Sequence, residues 1–420
     1  MSTVLENKHQ FIDGLTPTSI AIDEAIRKSA LKTLETSDLP TTRTEAWKYT
    51  RVAKLAKVNY TSVEASLDQL DDFLIAQDVV TLVFVNGYFS SKLSSDTIPT
   101  GVTVKKLSEC SSTELPKSLI DPSVDIFSAL NTAYLNDGVW IDFAAKAQLE
   151  KPMQILHIVK GEKVLSNFKT IITAGSFSKA SVIQGFFAAD AEKAFTNSTT
   201  EIHVGENAFL TVDKIQFEDE STSHISTEQV SQGKDSTFTI NTVTLNGGLV
   251  RNNLNIDVRG ENCTSNLNGT YLLKNKQHVD NHTVVDHIVP NCNSNELYKG
   301  VIDNQATAVF NGKVFVRKDA QKINAFQSNG NVLLTNDATA NSKPELEIYA
   351  DDVKCSHGST TGQLDEEAVF YLRARGLSET SARQLMVSAF IGEVLDHIEN
   401  EDVLDYVKGL LKSRFGWDFR

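Results

Sequence analysis

The segment Asp351-Asp352-Val353-Lys354-Cys355-Ser356-His357-Gly358 sets a thiol and an imidazole two residues apart. Deprotonated, both are donors that suit iron. Just upstream, Leu346 and Ile348 alternate with Glu345 and Glu347, the period-2 pattern of a strand. Continued to residue 357, that register puts Val353, Cys355 and His357 on one face. Side chains two apart on a strand are roughly 6.5–7 Å apart at the backbone, near enough to converge on one ion. Two donors do not fill a tetrahedral shell, so a metal here needs ligands from elsewhere.

A second polar run, His278-Val279-Asp280-Asn281-His282-Thr283-Val284-Val285-Asp286-His287, offers more donors. On a strand His278, Asp280 and His282 share a face, and His287 is expected on the following turn. A metal cluster is one reading. Polar residues on the outer face of a strand give the same pattern without a metal. Cys292, in Pro290-Asn291-Cys292-Asn293-Ser294, reads as a structural or bystander thiol. The cysteines, Cys110, Cys263, Cys292 and Cys355, include no Cys-x-x-Cys pair. That spacing excludes a self-contained zinc ribbon or ferredoxin-type cluster, and free thiols fit better than a disulfide framework. Gly-x-x-x-x-Gly-Lys-[Ser/Thr], Gly-x-Gly-x-x-Gly after a strand and Gly-x-Ser-x-Gly are all missing. The chain is therefore not itself an ATPase, and an energy-coupled process would need one in trans.

The elements that must position these residues differ along the chain. Helical spacing of Ile20, Ala25, Ile26, Ala30 and Leu31 predicts a helix from Ser19 to about Glu35, ended by Leu39-Pro40. Trp47 and Tyr49 read as packing anchors. Thr81–Val85 followed by Asn86-Gly87 predicts a buried strand running into a turn. From about 150 to 350 short strands follow one another, at Lys169–Thr173, Phe209–Ile215, Thr237–Leu245, Val309–Val316 and Asn331–Leu334. Leu254, Ile256 and Val258 alternate there with Asn253, Asn255 and Asp257. Strands without helices between them mean a sandwich, barrel or β-solenoid.

Two turns echo each other, Val204-Gly205-Glu206-Asn207-Ala208 and Arg259-Gly260-Glu261-Asn262-Cys263, 55 residues apart. With a repeat of ~20–25 residues the echo spans two or three coils. It also makes Cys263 a small buried residue in the slot where the other turn has alanine. The asparagines from Asn241 to Asn295 suit a β-helix whose turn amides stack.

After Gly362 the pattern turns helical. Leu364, Ala368, Phe370, Tyr371 and Ala374 form one apolar stripe, stopped by Gly376. Ser378 is the expected cap of a second helix carrying Ala382, Leu385, Met386, Ala389, Phe390, Val394 and Ile398. A third carries Val403, Leu404, Val407, Leu410, Leu411 and Phe415.

Composition sets the outer bounds. The 420 residues, 40% hydrophobic and 22% charged, are those of a folded protein with room for two or three units. A formal charge of −14 argues against nucleic-acid or anionic-membrane partners. No run approaches the ~18 apolar residues of a membrane span, and Met1–His9 has no apolar signal core, so a cytoplasmic address is expected.

The run Lys354-Cys355-Ser356-His357-Gly358-Ser359-Thr360-Thr361-Gly362-Gln363-Leu364-Asp365, then Phe370-Tyr371-Leu372-Arg373-Ala374-Arg375-Gly376, resembles the SufB/SufD family of iron–sulfur cluster assembly proteins, its SufD branch in particular. Arg43-Thr44-Glu45-Ala46-Trp47-Lys48-Tyr49-Thr50, Asp280-Asn281-His282-Thr283 and Lys343-Pro344-Glu345-Leu346-Glu347-Ile348 extend the resemblance over nearly the whole chain.

The resemblance implies a mainly β protein: a right-handed parallel β-helix core at 141–362, an N-terminal helical and mixed α/β region at 1–140, and a C-terminal helical region at 363–420. It further implies a non-catalytic scaffold subunit that pairs with a SufB-like paralogue and a SufC-like ABC ATPase docked on the C-terminal helices. A homodimer is open for the chain alone. His357, with Cys355 beside it, is then a ligand for iron or a transient iron–sulfur cluster shared with SufB, not necessarily bound by the isolated chain. A SufB-type subunit is the nearest alternative. The remote one is a β-helix carbohydrate-active enzyme using paired carboxylates such as Asp280 and Asp286.

Overall fold

The computed structural model of the chain describes residues 12–18, 20 and 22–417. From β5 (Met153–Glu162) to β19 (Val353–Gln363) the chain winds as a parallel β-solenoid of about eight turns, two strands to a turn. Odd-numbered strands stack in one sheet that ends at β19. Even-numbered strands stack in the other, from β4 (Asp137–Phe143) to β18 (Thr339–Ile348). The expected mainly β architecture with flanking helices is the one observed.

Alternation explains the winding. In β12 (Leu249–Val258), Val250, Leu254, Ile256 and Val258 are buried between the sheets, while Asn253, Asn255 and Asp257 face outward. A strand with one apolar face is stable only against a second such face, and stacking coils extends that shared lumen. Two interior glycines serve close approach: a Cβ on Gly269 would lie 2.2 Å from the Tyr298 ring, and one on Gly300 would lie 2.0 Å from the Tyr271 ring. Each coil thus leaves room for a buried tyrosine of its neighbour.

The coils are longer than the turn echo suggested. Vertical neighbours Asn241 and Asn268 are 27 residues apart, Asn252 and Asn281 are 29, and Glu296 and Gln327 are 31. Ala208 and Cys263 therefore lie two coils apart, with Ser236 between them. The repeat exceeds ~20–25 residues because most coils hold two strands of about ten residues plus two corners. Asn207, Asp235, Asn262 and Asn291 turn one corner with φ of 55°, 56°, 61° and 65°, a region that short polar side chains tolerate. Inside that corner Ala208, Ser236, Cys263 and Cys292 are all buried. Cys263 is the small buried residue expected, and its thiol donates to the Gly233 carbonyl at 2.9 Å.

The flanks close the outer faces. Strand β1 (Val80–Val85) adds to the odd sheet beside β5 and reverses through Asn86 and Gly87, both at positive φ, into β2 (Tyr88–Phe89). Helix α1 (Glu24–Thr36) starts at Asp23, whose carboxylate caps Ala25 and Ile26. Ser19, the predicted start, lies outside the described residues. Helix α2 (Ile126–Ala133) packs Phe127 between Trp47 and Phe195.

At the other end α3 (Glu366–Ala374), α4 (Glu379–Leu395) and α5 (Glu401–Phe415) follow the solenoid. Val387, Ile391, Val403, Val407 and Leu411 pack on the outer face of the odd sheet, over Ile183, Ile215, Val243 and Leu272. Ser378 caps α4 and Gly376 ends the preceding turn with φ 98°, as predicted. The stripe predicted for α3 is not the buried one. Val369 is buried, whereas Phe370 and Tyr371 are 72% and 57% exposed, and the element packed against this short helix is α4.

Candidate functional site

Cys355 and His357 lie on β19, the terminal strand of its sheet. It hydrogen-bonds along one side to β17 (Ile323–Leu333), and no strand pairs its other edge among the described residues. The upstream register does not run through to it. β18 stops at Ile348, the chain turns through Tyr349–Asp352, and Val353 begins a new strand. Within β19 the shared face survives: Val353, Cys355 and His357 stand over Ile323, Ala325 and Gln327, whose side chains are all buried. All three therefore belong to the lumen side of the last coil. Cys355 is half-buried against the apolar core, and burial raises its thiol pKa. His357 is exposed. A metal that binds this thiol must displace its proton.

Gln327 and Glu296 continue the column beneath His357. Glu296, on β15 (Asn293–Ile302), is buried under Gln327 and accepts a hydrogen bond from Gln327 Nε2 at 2.9 Å, with a second from Thr283. Burial pushes its carboxyl up to about 7 against the lowering effect of those two donors. Neither residue stands out in the sequence, because their relation to His357 depends on the coil length.

The second candidate cluster is something else. His278, Asp280 and His282 share the outer face of β14 (His278–His287), while His287 ends the same strand and faces the lumen, not the following turn. Asp280 receives Arg251 Nη1 at 2.6 Å and the Thr50 hydroxyl, and His282 Nε2 lies 3.0 Å from its other oxygen. Thr50 also meets His278 Nε2 at 2.8 Å. Arg251 stacks 3.8 Å from the Trp47 ring and donates to the Ala46 carbonyl at 2.8 Å.

The cluster is thus a latch that holds the segment Arg43–Thr50 across the even sheet. Trp47 is the anchor expected, but Tyr49 is 40% exposed, and buried Thr50 takes the second anchoring place. Burial raises the Asp280 carboxyl, yet Arg251, His282 and Thr50 outweigh it and hold the group well below the usual range. Asp286 is paired with Arg317, at 2.9 and 2.8 Å, so the two carboxylates considered for glycoside chemistry answer to separate arginines.

His287 bonds Ser294 Oγ at 2.9 Å, and burial, partly opposed by Asp286, pushes its imidazole down to about 4. Below about pH 6.5 the unfolded chain binds a proton there that the folded chain refuses until about 4. Stability should therefore fall as pH falls through that window. Urea midpoints at pH 7 and 5 should separate less for His287→Gln than for the parent chain.

Among the described residues no group of three or more His, Cys, Asp or Glu is placed to hold a metal. A groove of about 1300 Å³ along the corner that includes Glu220, Asn275, Asn304 and Asp337 contains neither Cys355 nor His357. The Cys355–His357 pair lies on an open sheet edge, unlike the enclosed pocket that grips a small substrate.

Two family models cover the chain. Residues 157–390 match the core domain described as "SUF system FeS cluster assembly, SufBD core domain", and residues 6–155 match the SufBD protein N-terminal region. The chain belongs to the SufBD family. It is 31% identical over 390 residues to the iron–sulfur cluster assembly protein SufD of Escherichia coli, covering 91% of each chain. It is 31% identical over 411 residues to a SufBD family iron–sulfur cluster assembly protein of Synechocystis, covering 93% of this chain and 90% of that one. The chloroplastic protein ABCI7 of Arabidopsis thaliana is 28% identical over 97% of this chain and 90% of its own. Membership of the SufBD family ties the solenoid to iron–sulfur cluster assembly. Among the described residues no helix is long and apolar enough to cross a membrane.

Proposed function

We propose that this chain is a SufD-like, non-catalytic subunit of a cytoplasmic iron–sulfur assembly scaffold. It pairs with a SufB-like paralogue through the open end of the solenoid and with a SufC-like ABC ATPase through residues 363–420. His357, with Cys355 beside it, supplies ligands for iron or a nascent cluster that the paralogue completes. The observation that carries this reading is the position of the two donors on a terminal strand whose outer edge is unpaired among the described residues. Partial ligation by each subunit lets a cluster form between chains and leave when they part. Phe370, Tyr371 and Leu385 are large apolar side chains left exposed on α3 and α4, which suits a docking face for the ATPase.

The test is an anaerobic purification of the tagged chain from its own cells, with co-purifying proteins identified by mass spectrometry and iron measured. An ABC ATPase and a paralogous β-helix subunit are expected with it. His357→Ala should leave the complex intact and lower its iron by more than about tenfold. A chain recovered alone at low salt, from iron-starved cells as well, would sink the proposal.

A further inference from the structure

Gln327 is 4% exposed, and its Oε1 has no hydrogen-bond partner. A buried carbonyl oxygen left unpaired is costly, and native structures rarely keep one without a use. With Glu296 ionised, its amide is not free to turn. Glu296 lies beneath it with both carboxylate oxygens engaged as acceptors, Oε1 from Thr283 and Oε2 from Gln327 Nε2. An ionised carboxylate can only accept, so the nitrogen of Gln327 must face Glu296 and the oxygen must face elsewhere. Position 312 on the opposite sheet is glycine, and a Cβ there would come to 3.0 Å from Gln327 Nε2, so the amide nitrogen is the end turned towards that sheet. The lumen-side neighbour of Gln327 on the next strand is His357. Same-face neighbours on paired strands are about 4.8 Å apart at the backbone, within reach of a side-chain hydrogen bond.

We propose that Gln327 Oε1 is the acceptor for a ring N–H of His357, and that Glu296 positions Gln327 for it. A ligating imidazole carries its proton on one nitrogen and offers the other to the metal. The acceptor that binds the N–H fixes which is which and aims the ring. In this chain the ladder Thr283–Glu296–Gln327 performs that task from inside the solenoid, leaving the outward nitrogen of His357 for a divalent transition ion. Gln327 and Glu296 are positioning residues and touch no metal. The inference deepens the reading of His357 as a donor and rests on it for its purpose, although the hydrogen bond itself is testable without any metal.

The direct test is the tautomer of His357 in the full, metal-free chain labelled with ¹⁵N-histidine, recorded near pH 8, above the value of about 7 to which Glu296 is pushed. The signal is assigned by its loss in His357→Ala. The parent chain should show one tautomer, Gln327→Leu a mixture, and Glu296→Leu the same mixture through a released amide. Glu296→Gln, whose own carbonyl can still accept from Gln327, should restore the single form, which a purely structural role would not predict. A parent chain in which His357 already mixes tautomers as a free imidazole does overturns the proposal without any variant, whatever the variants' folding. Iron retained by the anaerobic complex separates this inference from the reading beneath it. Gln327→Leu should retain about tenfold less iron. If His357→Ala keeps its iron, the ligand reading fails while the hydrogen bond can stand. If His357→Ala loses iron and Gln327→Leu changes neither iron nor tautomer, the positioning role fails alone.

Discussion

Asp280→Ala is expected to lower the free energy of unfolding by roughly 3–5 kcal/mol, the usual cost of stranding one member of a buried ion pair. Arg251 and Asp280 are both almost wholly buried, so the guanidinium left behind would face the Trp47 ring with only the Asp125 carboxyl, which makes no salt bridge to it, as counter-charge. Thr50 would lose its acceptor at the same time, and with it the Arg43–Thr50 segment would lose its inner fastening. Urea unfolding should show the lower midpoint, and trypsin should cut at Arg43, Lys48 or Arg51 well before the rest of the chain. The sign with pH is fixed by the depressed carboxyl. Its contribution is complete above the unfolded-state value of ~3.9 and is lost only as pH falls towards the folded value. The exposed pair between Glu45 and Lys343, which fastens the same segment from outside, should matter little when Glu45 is replaced.

Glu228→Ala should be comparably damaging, by roughly 3–5 kcal/mol, for a related reason inside the lumen. Lys214 is buried, and its ammonium meets Glu228 at 2.5 Å, Ser226 Oγ at 2.6 Å and Asn252 Oδ1 at 2.9 Å. Burial lowers its pKa, with Glu228 opposing the shift. Removal of Glu228 leaves a buried cation with two neutral acceptors and only the more distant Glu218 as counter-charge. The double change Lys214→Met with Glu228→Leu should recover most of the loss, because apolar groups of similar volume often match a buried pair. Denaturant midpoints at an unchanged m value would verify both outcomes, whereas a mild single variant would mean that water reaches Lys214.

The legible parts of this chain were those written in local periodicity. Leu254, Ile256 and Val258 against their asparagine and aspartate neighbours announced the strands, and Ser378 and Gly376 marked real helix boundaries. Cys355 and His357 could be placed on one face because that depends only on their spacing. The relations that cross coils were hidden. Arg251 looks like any outward strand residue until Ala46, 205 positions earlier, is brought beneath it. Gln327 gains its meaning from a 31-residue coil that the turn echo alone understated. The α3 stripe misled because periodicity reveals an apolar face and not the direction from which a neighbour arrives.

The latch has a consequence for the order of synthesis. The Arg43–Thr50 segment leaves the ribosome early, yet its fastenings sit 205, 228 and 298 residues downstream at Arg251, His278 and Lys343. Coils can stack on one another as they emerge, since each needs only its predecessor. The segment cannot seat fully until the fifth turn has been made, so the nascent chain carries Trp47 without its Arg251 cover past the middle of translation. Closure of this strap is then a report that the solenoid has been wound through Arg251 and Asp280, and a chain stalled before them would display a tryptophan without its arginine cover to the quality-control machinery.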